Sequence, residues 1–492
     1  MRLVAKLTIA VATLLCTATT GWAQVRDFGN RATAAGPGAP ALIAAKPSLT
    51  PPQSVEGTWV SDDGAEPMPE AIAAPGMTPG EMSGDDCPID GSDCDPFAGG
   101  CDPYAGRRGH CWNDLWTEVH SHKRIYAQAD YLRFWTSGNP LPPLVTTSPP
   151  GTPQAEAGVL PVSESTSILF GNGKVDGGWK NGGRINVGYW LVDGEFVGIE
   201  GHYFALQTAS TTFNAVSDFT SDPNAQILAR PFFDVGPLVV TPRENAALVA
   251  YPNFVSGQSI GNLDGSINIR TTSNLQSAGA LWRKLIWIDF TMQRRLDLLL
   301  GYRFLRVDDS VTINDASTFT GGIFPPIMLT SQDIFSARNF FNGGEIGLKY
   351  QSYHGPFSLE LIAKSAFGNN EENVWINGSN TITIGAGAPS TTAGGLLAQP
   401  TNIGTYQRNV FAIVPEADVN LRVDVTRHVR LTVGYTFVYI NRVQRSGDAI
   451  DRSLNPTQIR GGTLVGTPAP LFSPHDSTYY AHGGTAGVEI RW

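Results

Sequence analysis

From about residue 122 onward the chain alternates between apolar and polar side chains. "EADVNLRVDV" sets Ala417, Val419, Leu421, Val423 and Val425 against Glu416, Asp418, Asn420, Arg422 and Asp424. "RLDLLLGYRF" sets Leu296, Leu298, Leu300, Tyr302 and Phe304 against Asp297, Gly301 and Arg303. "RINVGYWL", "FVGIEGHYFA", "SINIRTTSNLQ", "GEIGLKY", "FSLELIAK" and "VRLTVGYTFVY" follow the same rule. A period of two means that each strand has one apolar and one polar environment. It predicts ten strands, at roughly 125–135, 183–192, 195–206, 267–283, 295–307, 339–352, 357–367, 410–425, 429–442 and 478–492.

A soluble sandwich also produces alternation, so the connections decide. They read long and short in turn. The short ones centre on "VDGE", "IWIDFTMQ", "YHGP" and "TRH", and the long ones, such as 207–265 and 368–409, are rich in Pro, Gly, Ser and Thr. An up-and-down barrel in an outer membrane has this asymmetry, with short periplasmic turns and long external loops. An even strand number then puts both barrel ends on the periplasmic side. In lipid only helices and closed barrels satisfy every backbone N–H and C=O, and no internal run of 18 apolar residues offers a helix. The expected fold is all-β: a transmembrane up-and-down antiparallel β-barrel over 122–492, about ten strands (range 8–12). Trp135, Trp190, Trp282, Tyr350, Tyr439 and Tyr479, near strand ends, are expected in interfacial girdles.

The polar face is then expected to line the lumen. It carries Arg184, Glu200, His202, Arg270, Asp297, Arg303, Glu345, Lys349, Glu360, Lys364, Glu416, Asp418, Arg422, Asp424, Arg430, Glu489 and Arg491. Both signs occur in similar numbers, which points to internal ion-pair networks. Eight strands make a barrel that its own side chains fill, whereas open aqueous channels appear at 16–18 strands. Ten strands with this many inward charges leave a narrow or closed lumen. The last strand, "TAGVEIRW", places Thr485, Gly487, Ile490 and Trp492 in the polar-x-Gly-x-x-apolar-x-aromatic spacing that resembles the terminal assembly signal of outer-membrane barrels. Ala486, Val488 and Ile490 are expected toward lipid, Glu489 and Arg491 toward the lumen, and Trp492 at the periplasmic interface.

Composition changes the picture mainly at the N-terminus. Arg2, Lys6, the apolar "LTIAVATLLC" and small Ala23 read as a secretory signal over 1–23. Residues 24–82 are Ala/Pro/Gly-rich, with too few large apolar residues to offset the entropy of ordering, and read as a disordered exported spacer. Residues 83–121 hold a repeat, "CPIDGSD", "CDPFAGG", "CDPYAGR", in which Cys87, Cys94 and Cys101 recur every seven residues, and with Cys111 they are disulfide candidates whose pairing stays open. "DDCPIDGSDCD" lacks the ligand spacing of a calcium loop. The net charge of −10 sits in 24–120, which hold 15 acidic against 5 basic residues. Nothing in it has the basic patch of a nucleic-acid binder.

Candidate chemistry is sparse. Glu200 and His202 share a strand face, and "PHDS" offers His475, Asp476 and Ser477, yet no nucleophile, base and acid converge, and an interior ion pair is the better reading for Glu200. No catalytic residue, cofactor or metal is expected.

"DYLRFW", "LPPLVTTSP", "GGRINVGYWL", "GIEGHYF", "RLDLLLGYRFLRVDDSV", "LELIAKSAFGN", "VFAIVPEADVNL", "LTVGYTFVYINRVQRSGDAIDRSLNPTQI" and "GVEIRW" occur in that order and resemble the seventh putative beta-barrel porin family, abundant in planctomycete bacteria. The resemblance spans about 122–492; "YINRV" departs from it, where a more aromatic strand end is expected. It implies an outer-membrane barrel, and the family's transport role is itself read from architecture. Three readings stand: a porin-like barrel passing small solutes through a narrow lumen; a closed structural or surface-recognition barrel with long external loops, tethered on the periplasmic side; and, remotely, an outer-membrane enzyme. The partners expected are outer-membrane lipids, the barrel assembly machinery, and small solutes or cell-wall components, with no nucleic acid.

Overall fold

In the computed structural model the described residues are 124–492, apart from 162–164, 193–194, 258 and 322–324. The signal segment, the spacer and the Cys87, Cys94, Cys101 and Cys111 repeat lie outside the described residues. Ten antiparallel strands form the wall: β1 (Ile125–Thr136), β2 (Gly178–Trp190), β3 (Val197–Leu206, resuming at Ala209–Ser217), β4 (Ser259–Ile288), β5 (Arg294–Gly321), β6 (Ile327–His354), β7 (Phe357–Ile384), β8 (Gly404–Asp424), β9 (Val429–Val443) and β10 (Ser477–Arg491). Each pairs with the next in sequence. β10 pairs back onto β1, Tyr126 opposite Arg491, so the ring is closed and neither strand is left as an edge.

Every predicted strand is present, but β4 to β7 are far longer than expected, at 28 to 30 residues. At about 3.3 Å per residue that is roughly 90 Å of strand, where about 9–11 residues cross a bilayer. β5 shows what the excess does. Its even positions face outward and its odd positions inward throughout. From Leu296 to Phe304 the outward residues are apolar, with Leu300 and Tyr302 exposed, while Asp297 and Arg303 are fully buried inside. Past Phe304 the faces exchange chemistry. Arg306, Asp308, Ser310, Thr312 and Asn314 now point out, and Leu305, Val307, Val311 and Ile313 are buried within. One strand thus has an apolar outer face at one end and a polar outer face at the other.

That inversion corrects several expectations. Arg270 is exposed on the outer wall and does not enter the lumen, because Ile267 and Ile269 take the buried inner positions of β4. The spans 207–265 and 368–409 are largely strand rather than loop. The strict alternation of connections fails between β5 and β6, which are joined by residues 322–326 alone. Trp190 and Tyr479 are buried inside the ring, not in a girdle, whereas Trp135 and Trp282 are exposed on its outside. The outer apolar surface forms a belt about the β1-start end of the ring. It includes Tyr189, Ile199, Leu300, Leu348, Leu361, Leu421, Val433 and Val488.

Beyond the belt the ring opens. β1, β2, β9 and β10 stop while β4 to β7 run on, and inward-folded segments fill the concavity. Among them an inner strand, Leu228–Asp234, pairs antiparallel with Arg243–Ser256 and, over two residues, parallel with Ser453–Leu454. Leu228, Phe232, Val249, Ile267, Ile269, Val311, Ile313, Phe335 and Val374 form one apolar core around it.

Candidate functional site: the sealed lumen

Three layers occupy the inside of the ring. The first, at the level of the apolar belt, is a chamber lined by Arg184, Glu200, His202, Lys349, Glu360, Lys364, Glu416, Asp418 and Arg422 together with Arg283, Arg430, Glu489 and Arg491. Alternation puts every one of these on an inward face, and the ladder registers bring them together. Arg184 bonds Asp130 at 2.8 Å and Asp418 at 3.1 Å. Lys349 lies 3.0 Å from Glu360, which also holds Arg422, and 3.9 Å from Glu200. The Tyr126 hydroxyl donates to Glu200 at 2.5 Å. Lys364 sits 3.1 Å from Glu416 and 3.6 Å from Glu345, and both carboxylates hold Arg303. Asp424 pairs with Arg430 at 2.7 Å and with Arg491 at 2.5 Å. Asp297 is shared by Arg283 and Arg295, whose guanidiniums lie 4.5 and 5.4 Å from the Trp190 ring centroid.

Asp297, Arg303, Glu345 and Asp424 stand beside the chamber rather than on its wall. The open space is about 70 Å³, room for only a handful of waters at about 10–15 Å³ each. His202 is buried against Gly279, and neither ring nitrogen has a hydrogen-bond partner among the described residues. In β10, Thr485, Glu489 and Arg491 are buried inside, Ala486 and Val488 face out, and Trp492 is about half exposed. Gly487 faces in and lies against the Asp130 carboxylate, where a Cβ would come within 1.9 Å. Its missing side chain makes room for the Asp130–Arg184 pair. Asp130, Arg283, Arg295 and Tyr126 were not singled out in the sequence, though Asp130 shares the parity of Gln128 in "YAQADYL" and could have been.

The second layer is an apolar cluster, with Lys180 of β2 buried opposite Phe134 at its edge. Leu132 and Phe134 from β1, Phe204 and Leu206 from β3, Leu275 from β4, Leu305 and Val307 from β5, and Phe341 from β6 meet Ala366 from β7, Ala412 and Val414 from β8, Val438 and Ile440 from β9, and Tyr479 and Ala481 from β10. Nine of the ten strands contribute, and most of these side chains are at or near zero exposure. Full burial of a large apolar side chain is worth about 1.5–3 kcal/mol, so the cluster is a cohesive core.

The third layer caps it. Arg445, from the β9–β10 connection, pairs with Asp309, donates to the Gly138 carbonyl at 3.2 Å, and lies 5.1 Å from the Tyr479 ring centroid. Asn339 and Asn370 reach in to the carbonyls of Gln444 and Arg442, each at 2.9 Å. Farther out, Arg230 of the inner strand is held at 2.6 Å by both Asp315 and Asp333. Burial works against its charge, but the two carboxylates outweigh it and leave Arg230 more firmly protonated than usual. Burial raises the Asp315 carboxyl above its ordinary range, with Arg230 opposing only in part. His475, Asp476 and Ser477 do not form a catalytic set: Asp476 pairs with Arg408 and Arg442, and Ser477 donates to Asp448.

Among solved structures, the outer-membrane protease OmpT from Escherichia coli is 11% identical over 75% of this chain and 97% of its own, with a TM-score of 0.31. A Pseudomonas aeruginosa FadL homologue is 8% identical over 75% and 90%, at 0.19, and the P. putida toluene transporter TodX 7% identical over 76% and 92%, at 0.17. These scores are too low to bear on the chemistry of this chain. No curated protein matches it. The sequence model described as Putative beta barrel porin-7 matches residues 126–492, three-quarters of the chain and the whole wall of the barrel, and the chain belongs to that family.

Proposed function

We propose that this protein is an outer-membrane barrel with a sealed lumen, which anchors and presents the β-structured body beyond its belt rather than passing solutes. The observation that carries this reading is the buried apolar cluster that includes Leu132, Phe134, Phe204, Leu305, Phe341 and Tyr479 and draws on nine of the ten strands. A hydrated solute would have to displace it. The outward belt supplies the membrane reading: apolar side chains face out along about nine residues of β5, Leu296 to Phe304, the length a bilayer demands. The short turns and both barrel ends lie at the belt end, which becomes the periplasmic side. Lipids and the barrel assembly machinery are the partners this requires, and Thr485, Gly487, Ile490 and Trp492 the signal that machinery reads.

Planar bilayers test it. Reconstituted protein should give no conductance steps above the lipid baseline; reproducible single-channel steps would restore the solute-passing reading.

A further inference from the structure

Arg133 is a cation in an unfavourable place. It points out from β1, exposed, one outward position inside Trp135, on the wall that otherwise carries the apolar belt. Charged side chains on a lipid-facing barrel wall are destabilising unless they reach the interface or find a counter-charge. Among the described residues no carboxylate pairs with it. Its one polar partner is neutral: it donates to Asn181 Oδ1 at 2.6 Å, an oxygen that the Tyr131 hydroxyl shares at 2.6 Å. Its guanidinium lies 5.7 Å from the Trp179 ring centroid.

The surroundings are aromatic. Register aligns Trp179, Trp135, His482 and Phe437 as one outward row across β2, β1, β10 and β9. Trp135 and Trp179 meet edge to face at 5.6 Å. His482 is stacked on Tyr480 and bonded through Nδ1 to the Tyr435 hydroxyl at 2.6 Å. Directly opposite Arg133 is Gly484, where an added Cβ would meet nothing nearer than a backbone oxygen at 4.0 Å. The result is an outward aromatic row at the rim of the belt with one exposed guanidinium beside it.

We propose that Arg133 holds the phosphate of an outer-leaflet lipid at the aromatic rim, with the acyl chains along the belt. A phosphate takes charge-assisted bonds from guanidinium in a fork geometry that a neutral head group does not offer, and basic sites at the membrane surface bind phosphate-bearing head groups. The proposal rests on the membrane reading above.

The test uses the full chain in detergent, with bound lipid counted by native mass spectrometry against phosphatidate or a diacylglycerol of the same acyl chains, which lacks only the phosphate. Wild type should retain phosphatidate about tenfold better, and Arg133→Gln should remove that preference while Arg338→Gln, an outward arginine beyond the belt, keeps it. Equal retention of both lipids by wild type, or an unchanged preference in Arg133→Gln, would overturn the proposal. Displacement of phosphatidate by millimolar inorganic phosphate would overturn the lipid as the source. Heat-modifiable gel mobility separates the two readings. Its absence in wild type sinks the membrane assignment and this site with it, and its presence with no phosphatidate preference sinks this site alone.

Discussion

Ile125 and Trp492 exchange backbone hydrogen bonds, each N–H donating to the other's carbonyl at 3.0 Å. That reciprocal pair is the last rung of the β1–β10 ladder and the point where the ring closes. It ties Trp492 down through its main chain, and the indole is left about half exposed on the outer wall. An amphipathic ring suits an interface of that kind. Trp492→Ala keeps the backbone rung but loses the interfacial anchor and the aromatic of the assembly signal. The expected result is a several-fold drop in the heat-modifiable form recovered from membranes, and deletion of 477–492 should abolish it. Normal assembly of the deletion would refute closure through β10.

Reversal of faces along single strands predicts opposite responses to the same chemistry. Ile269 is fully buried in the outer body, so Ile269→Asp leaves a carboxylate in an apolar core and should cost more than about 4 kcal/mol. Arg270, its neighbour, faces solvent, and Arg270→Ala should stay within about 0.5 kcal/mol. Leu421, half exposed in the belt, should tolerate Phe, whereas Leu421→Arg should cost about 2–4 kcal/mol of membrane stability near the midplane. Urea unfolding in lipid vesicles reads all four. Similar costs for Arg270→Ala and Ile269→Asp would place the inversion elsewhere.

The ten strands and the belt were legible because period two with an apolar outer face, as in "RLDLLLGYRF", is strong and local. The outer halves were not. In "VDDSVTINDASTF" the alternation continues, yet its polar members are Ser, Thr, Asn and Asp, residues that also fill loops, and no local rule says that the apolar parity has moved from outside to inside. That is why parity alone sends Arg270 to the lumen. The charged chamber followed from parity alone, but its closure did not. Leu132, Phe341 and Tyr479 meet only because distant strands share a level in the ring, and the inner strand with Arg230 comes from a stretch, "ILARPFFDV", with no partner visible in sequence.

Proteolysis follows from the same correction. Long strands bury their backbone in ladders, so exposed sites are confined to turns. Leu238 and Val240 lie in the non-strand segment 235–242 and are almost wholly exposed. A protease with broad specificity applied to intact cells should cut at 235–242 and at 385–389, and should spare 259–321 and 369–384. Early cleavage within 306–320 would contradict the ladder between β5 and its neighbours.

The seal can be opened deliberately. Phe134 and Phe341 are, after Tyr479, the largest members of the cluster at or near zero exposure. Replacing both by serine should remove about 3–5 kcal/mol each and put hydroxyls and water where the rings met. Below them the chamber is charged and has room for a few waters. Small, flickering conductance steps are expected from the double variant in planar bilayers and none from wild type. A silent double variant that still shows heat-modifiable mobility would locate the seal in the Arg445 and Asn339 layer above.

Arg230 fixes the inner strand by facing two carboxylates at once, and the three groups are unequal. Asp333 also accepts the Ala398 amide at 2.8 Å and the Leu397 amide at 3.2 Å, so its charge is well used. Asp315 has Arg230 as its ion-pair partner, and burial raises its pKa. Arg230→Met should therefore cost about 3–5 kcal/mol, since it strands two buried carboxylates. Asp315→Asn keeps a bond to Arg230 and should cost less than about 1 kcal/mol at neutral pH. The pH dependence has a definite sign. For an acid whose folded pKa lies above its unfolded value of 3.8, the folded state holds the proton over the interval between them. Stability then falls as pH rises through that interval and stays lower above it. Acidification toward 3.8 should accordingly stabilise wild type relative to Asp315→Asn, read as a shift in the urea midpoint for loss of protection at 235–242. A difference between the two proteins that does not change between neutral pH and 4 would show that Asp315 stays charged throughout.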